Sequence, residues 1–349
     1  MKNILIQADN LMALNFLLKE RNLKGKIDLI YIDPPFATGS NFSISENRAS
    51  TISKAKDGKI AYTDTLKGLD FLEFLKSRLL SLKDLLSPQG SIYLHIDYKI
   101  GHYVKILMDE VFGIENFKND ITRIKCNPKN FDRIGYGNVK DMILFYSKSS
   151  EPIWNEPRQK YSLKDIEKLF SKINKYGRRY TTVPIHAPGE TVSGSTSKLF
   201  RGIAPPKGRH WRADVETLEK WDKEGLIEWS SKGNPRKIIF ADEREGKRVQ
   251  DIWEFKDPQI PAYPTEKNHR LLDLIIKTSS NVNSIVLDCF CGSGTTLKAA
   301  QLNNRKWIGI DQSDLAINAT KNKFQKTENS LFAEPPEFEF IVLKDTTIK

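Results

Sequence analysis

The chain has 349 residues, 39% apolar and 28% charged, with a formal net charge of +11, which describes a soluble globular protein holding one large interrupted domain or two domains. Its three cysteines (Cys126, Cys289, Cys291) lack CxxC spacing and its five histidines are dispersed, which argues against a disulfide framework and against a bound metal. No apolar run approaches the ~20 residues of a membrane span, and the start MKNILIQADN lacks the basic, apolar and small-residue order of a signal peptide, so a cytoplasmic location is expected.

In chain order, ILIQA opens as a short strand ending at Asp9, and Leu11, Leu14 and Leu18 then place a helix. DLIYI (28–32) is a second strand. The polar stretch from Ala37 to about Thr65 reads as a long mobile loop, of the kind that usually forms a lid or a binding loop. Leucines 72, 75, 79, 82 and 86 recur at helical spacing up to SPQG. Strand SIYLHID (91–97), a helix over about 101–112 and strand MILFYSK (142–148) follow. Alternating strands and helices imply parallel β-α-β units.

Between about 150 and 260 this rhythm stops. Residues 161–250 carry 19 Lys and Arg against 12 Asp and Glu, a balance suited to a polyanionic partner. The alternation resumes with helix LLDLIIKTS, strand SIVLD (284–288), the turn CGSGTT, helix LKAAQL, strand KWIGID (306–311) and a helix from about Leu315. The fold expected is α/β, a doubly wound and mostly parallel sheet built from both ends of the chain. Its parts are 1–150, an excursion over 151–260, a second half over 261–325 and a tail over 326–349.

Two stretches carry chemistry. DLIYI runs straight into Asp33, Pro34, Pro35 and Phe36, and prolines fix φ and donate no backbone hydrogen bond, so Asp33 and Phe36 are held in one relative pose. In SIVLDCFCGSGTT a glycine turn separates a strand from a helix, where small residues let a ligand approach the backbone and the helix start. About 20 residues on, KWIGID ends in Asp311, placed as an acid that takes ribose hydroxyls. The third glycine of GxGxxG is missing, which favours a ligand with a ribose and no pyrophosphate.

DPPF at 33–36 followed late in the chain by DCFCGSGTT at 288–296 resembles the S-adenosylmethionine-dependent amino-methyltransferases of DNA, in the circularly permuted order called the β group. ADN at 8–10, YTD at 62–64, YPTEKN at 263–268 and WIGIDQS at 307–313 fall where that order expects them, and RGIAPPKGRHWR with DIW resembles, more loosely, the middle region of adenine-specific restriction-system members. Two departures are Cys289, where the family usually has proline, and Phe36, where tyrosine is commoner.

The resemblance implies a Rossmann-like methyltransferase fold with residues 151–260 as an inserted target-recognition region. It implies transfer of a methyl group to adenine N6 of a base flipped out of double-stranded DNA, with Asp33 and the Pro34 carbonyl accepting the amino hydrogens and Phe36 stacking on the base. For the cofactor it implies Asp9 at the adenine, Asp311 and Gln312 at the ribose end, and Asp288, Cys289, Phe290, Gly292, Ser293, Gly294 and Thr295 around the methionine portion, with Lys267 on its carboxylate. Arg201, Lys207, Arg209, Trp211 and Arg212 are candidates for DNA contacts, Trp221, Trp229 and Trp253 for a small core, and loop residues Arg48, Lys54, Lys56 and Lys59 for a clamp. Cytosine-N4 methylation, whose enzymes more often carry serine at position 33, and a non-catalytic specificity subunit are the alternatives. No GxxxxGK[ST] or nuclease constellation is present, so cleavage would fall to a separate restriction endonuclease, and the resemblance implies a second copy of the chain as a further partner.

Overall fold

The computed structural model describes residues 1–35, 68–128, 132, 134–258, 266–325 and 337–344, and the backbone alone of 41–45, 48–51 and 59–63. In chain order the first elements are β1 (Asn3–Gln7), α1 (Asn10–Lys19), β2 (Ile27–Ile32), the short β3 (Asn41–Ser45), β4 (Arg48–Thr51) and β5 (Lys59–Thr63), α2 (Leu69–Leu85), β6 (Leu86–Ile96), α3 (Gly101–Phe112), β7 (Phe117–Ile124) and β8 (Lys140–Ser147). Next come β9 (Arg158–Gln159), α4 (Leu163–Leu169), β10 (Lys172–Ile173), β11 (Arg179–Pro184), β12 (His186–Pro188), β13 (Arg209–Trp211), α5 (Val215–Lys223), β14 (Ile227–Trp229), β15 (Pro235–Phe240) and β16 (Lys247–Arg248). The last are β17 (Ile252–Trp253), α6 (His269–Ser279), β18 (Ile285–Asp288), α7 (Thr295–Leu302), β19 (Lys306–Asp311), α8 (Asp314–Gln325) and β20 (Phe338–Val342).

Two compact units result, one from 1–157 with 250–349 and the other Arg158–Val249. The first is an α/β unit around a nine-stranded sheet ordered β17-β7-β8-β6-β2-β18-β19-β1-β20. Only β8 runs antiparallel to its neighbours in this sheet. Central strands of a parallel sheet are covered on both faces, so they must be apolar throughout, and Leu29, Ile30, Tyr31 and Ile32 of β2 are all buried. Helices α1, α2 and α3 pack in one row and α6, α7 and α8 in another. Right-handed crossovers put those rows on opposite faces.

From β2 the chain moves to β6 on one side, and from β18 it moves to β19 on the other. The order therefore reverses between β2 and β18, which pair through Leu29 with Val286 and Ile30 with Leu287. Ligands of open α/β sheets bind at the carboxyl ends of strands at such a reversal. Asp33 follows β2 there and Asp288 ends β18.

Several expectations change. The leucine helix α2 stops at Leu85, just before SPQG as expected, but SPQG itself lies inside β6, where the pairing with β2 shifts register. A side chain at Gly90 would sit 2.8 Å from the Ile27 carbonyl, so only glycine fits that close approach. The stretch 37–65, expected as a loop, contains β3, β4 and β5 as an antiparallel three-stranded sheet. The expected tail 326–349 contains β20, parallel to β1 at the sheet's edge. These segments are polar or short and lack the apolar periodicity that announces a buried element.

The second unit has its own small core of Ile185, Phe200, Trp211, Leu218 and Ile227, beside the sheet β10-β11-β15-β14. Trp211, expected as a DNA contact, is the centre of that core, with its indole N–H donating to the Lys198 carbonyl at 2.9 Å. Trp229 is partly exposed and stacks on Phe200, whereas Trp253 belongs to the first unit, on β17. Arg201 pairs with Asp222 and Glu219, and Arg212 donates to the His186 carbonyl.

Candidate active site

Asp33 leaves the sheet with Pro34 buried behind it. Its Oδ2 pairs with Lys267 Nζ at 2.9 Å, and its side chain is 15% exposed. Its Oδ1 is buried and has no hydrogen-bond partner among the described residues, although His95 Nδ1 on β6 stands 3.7 Å away. An unsatisfied buried acceptor is costly in a fold, and such atoms concentrate where a ligand completes the set. Phe36 lies outside the described residues.

Behind Asp33 the side chains form a buried row. Tyr31 Oη is 2.9 Å from His95 Nδ1, and His95 Nε2 is 3.2 Å from Asp141 Oδ2 on β8. Asp141 also takes Lys125 Nζ at 2.6 Å and stands 3.7 Å from the Arg123 guanidinium, which in turn pairs with Asp257. Burial works to raise the Asp141 carboxyl, yet the hydrogen bonds from His95 and Lys125 hold it well below the usual carboxylate range. Burial, with the Lys267 charge behind it, pushes the imidazole of His95 down, against the pull of Asp33 and Asp141. His95 is therefore neutral at pH 7, and ionised Asp141 keeps its proton on Nε2. Nδ1 then accepts from the Tyr31 hydroxyl.

The glycine turn after β18 is braced from below. Asp288 is 3% exposed, its Oδ1 accepts from the Phe290 N–H at 3.0 Å, and burial raises its carboxyl to about 7. Asp311, at the end of β19, takes the Gly292 N–H on one oxygen and the Ser313 N–H on the other, both at 2.9 Å. Burial raises it too, opposed by those N–H groups. Gly294 has φ 72°, and a Cβ there would meet Thr320 of α8 at 2.8 Å, so the turn needs glycine for both its left-handed backbone and its contact. Lys323 of α8 reaches the same turn, donating to Glu266 at 2.7 Å, Thr295 at 2.9 Å and Ser293 at 3.1 Å. Cys289 and Cys291 are buried, and Phe290 tilts against Phe74.

Asp9 caps α1 by accepting from the Met12 N–H at 3.1 Å, and its second oxygen pairs with buried Arg78 at 3.0 Å. Arg78 also binds Asn10 and lies over the Phe74 ring. Asp9 and Gln312 line a cavity of about 540 Å³ with Met12, Asp314 and Leu343.

The fold thus gathers Asp33, Asp288 and the turn residues at neighbouring strand ends, with Asp311 one strand further, and puts Asp9 and Gln312 on one cavity. Lys267, expected on the cofactor's carboxylate, pairs with Asp33. Asp311, expected at ribose hydroxyls, uses both oxygens to fix backbone. Tyr31, His95, Asp141 and Lys323 escaped the sequence reading. A histidine inside the apolar run SIYLHID was the available signal, because a buried imidazole requires a partner. Among the described residues no group of His, Cys, Asp and Glu could hold a metal, and no helix is long and apolar enough to cross a membrane.

Comparison with known proteins fits this geometry into a lineage. The chain is 40% identical to the type II methyltransferase M.EcaI of Enterobacter cloacae over 92% of its own length and 69% of the relative's. It is 26% identical to the StyLTI Mod subunit, a type III restriction-modification enzyme of Salmonella typhimurium, over 87% of this chain but only 50% of that one. The solved M1.HpyAVI–SAM complex superposes with a TM-score of 0.47 at 19% identity, over 92% of this chain and 99% of that one. The DNA methylase profile, which joins N6 and N4 methyltransferases, matches residues 27–322, from β2 through Asp33, the glycine turn and Asp311 into α8. With the site and most of the first unit inside that match, the chain belongs to the DNA methylase family of restriction-modification type, whose methyl donor is S-adenosylmethionine.

Proposed function

We propose that the protein methylates adenine N6 in double-stranded DNA, as the modification enzyme of a restriction-modification system. The observation that carries this reading is the open Oδ1 of Asp33, a buried acceptor at a strand end with its partner oxygen already held by Lys267.

Bound S-adenosylmethionine supplies a methyl group on a positively charged sulfur. The residues present fit its zwitterionic, ribose-bearing shape. Gly292 and Gly294 give the turn its left-handed backbone without side chains, the buried Asp288 suits an ammonium, and Asp9 and Gln312 line a cavity.

An exocyclic amine is a poor nucleophile because its lone pair is delocalised into the ring. Asp33 Oδ1 and the Pro34 carbonyl together would accept its two hydrogens, which favours a pyramidal nitrogen with its lone pair directed outward. As the nitrogen becomes positive, the Asp33 carboxylate stabilises it, and no covalent intermediate is needed. Pro34 and Pro35 keep the two acceptors in register. A carboxylate at position 33, where N4 enzymes more often carry serine, supports adenine over cytosine. The basic second unit would supply phosphate contacts and site recognition, and cleavage would fall to a separate nuclease.

The test incubates purified protein with labelled S-adenosylmethionine and unmethylated genomic DNA, then identifies the modified nucleoside by mass spectrometry. N6-methyladenine is expected. N4-methylcytosine would overturn the base assignment, and cofactor binding without transfer to any DNA would overturn the substrate.

A further inference from the structure

Methyl transfer by orientation alone needs Asp33 and its neighbouring carbonyl, yet five further ionisable side chains converge around Asp33. Tyr31 comes from β2, His95 from β6, Arg123 from β7, Asp141 from β8, and Lys267 from the segment before α6. His95 is fully buried and touches both ends of this row.

Its two nitrogens have unequal surroundings. Nε2 faces Asp141, which Lys125 and Arg123 keep ionised, so the single proton of the neutral ring belongs there. Nδ1 faces two oxygens, the Tyr31 hydroxyl at 2.9 Å and Asp33 Oδ1 at 3.7 Å. While Nδ1 holds a lone pair it accepts from Tyr31 and offers nothing to Asp33. Once Nδ1 is protonated, the same short gap separates a cation from a buried carboxylate oxygen, and a slight approach closes it into a charge-assisted hydrogen bond.

We propose that His95 is a positioning residue that gates Asp33: neutral, it leaves Oδ1 open to the target amine, and protonated, it occupies that acceptor. The proposal rests on the reading of Asp33 as the acceptor of the amine. It gives the buried row a purpose that filling the core does not, because apolar side chains would fill that space without the cost of desolvating charges.

The gate predicts an acid limb in the rate of transfer. Below the pKa of the imidazole, the open fraction of Asp33 falls about tenfold per pH unit. Its neighbours set the position of that limb in opposite directions. Asp141 stabilises the charged ring, so Asp141→Asn moves the limb to lower pH. Tyr31 donates to the neutral ring, so Tyr31→Phe moves it to higher pH. A side chain that only packs the core gives neither displacement.

The experiment measures single-turnover methyl transfer at saturating DNA and S-adenosylmethionine from about pH 5 to about pH 8, each variant scaled to its own rate at the upper end. Cofactor affinity is measured in parallel by calorimetry, because Asp288 titrates in the same range. In His95→Gln the amide can keep the bond to Asp141 and leaves no group at the Nδ1 position, so the limb disappears and the rate varies less than about twofold. A wild-type limb retained in His95→Gln overturns the gate. Should that variant fail to fold, Asp141→Asn and Tyr31→Phe decide, and limbs that do not separate overturn it equally. Absence of transfer by the wild type at every pH, with both ligands bound, would instead defeat the reading of Asp33 on which the gate depends.

Discussion

The carboxylates at neighbouring strand ends are held in opposite ways. Asp311 is fixed by backbone, with an N–H on each oxygen, and Asp288 is buried with a backbone N–H on Oδ1. Among the described residues Asp33 is held by side chains, Lys267 on one oxygen and His95 at a distance from the other. Backbone donors do not titrate or swing away, so the donors that fix Asp311 and Asp288 stay in place. Side-chain donors can do both, so the state of Asp33 depends on its neighbours. A rigid frame suits binding, and an adjustable acceptor suits chemistry.

Three changes probe that contrast. Asp33→Asn keeps the shape of the side chain and removes its charge, and transfer should fall about 10³-fold while cofactor and DNA affinities change little. Retained transfer in a rapid-quench assay would show that orientation by the prolines suffices. Asp311→Ala frees the Gly292 and Ser313 N–H groups, and S-adenosylmethionine affinity by calorimetry should weaken about 10- to 100-fold through a loosened turn. If affinity survives, the turn is held by Thr320 and Lys323 instead.

The smallest effect is a pH dependence from Asp288. Its carboxyl sits at about 7 in the fold, above its unfolded value, so the folded chain holds this proton where the unfolded chain has lost it. That contribution to stability is complete below about pH 4 and is lost as the pH rises through about 7. Binding runs the other way, because an ammonium prefers the ionised form, and cofactor affinity should rise severalfold between about pH 6 and pH 8. Asp288→Asn should flatten both slopes, and slopes unchanged in that variant would assign them to another group.

What the sequence made legible was local. Apolar runs and leucine spacing located the central strands and α2, and proline and glycine at strand ends marked DPPF and CGSGTT, because those features act through their immediate neighbours. The destinations of long side chains were not legible. His95 and Asp141 meet because β8 runs antiparallel beside β6, and Lys323 reaches Ser293 because α8 packs by the turn. Such contacts depend on strand order and register, which no short window contains.

The sheet order also fixes a sequence of events during synthesis. Ile4 of β1 pairs with Ile308 of β19, and Asn3 with Phe338 of β20, so the first strand made finds its partners only among the last. Until β19 leaves the ribosome, the apolar residues of β1 have no strand to pair with, although α1 can already pack on α2. Closure of this sheet is a late, non-local step and slow by its topology. The permuted order that brings Asp33 early in the chain thus leaves β1 waiting longest for its neighbours in this sheet.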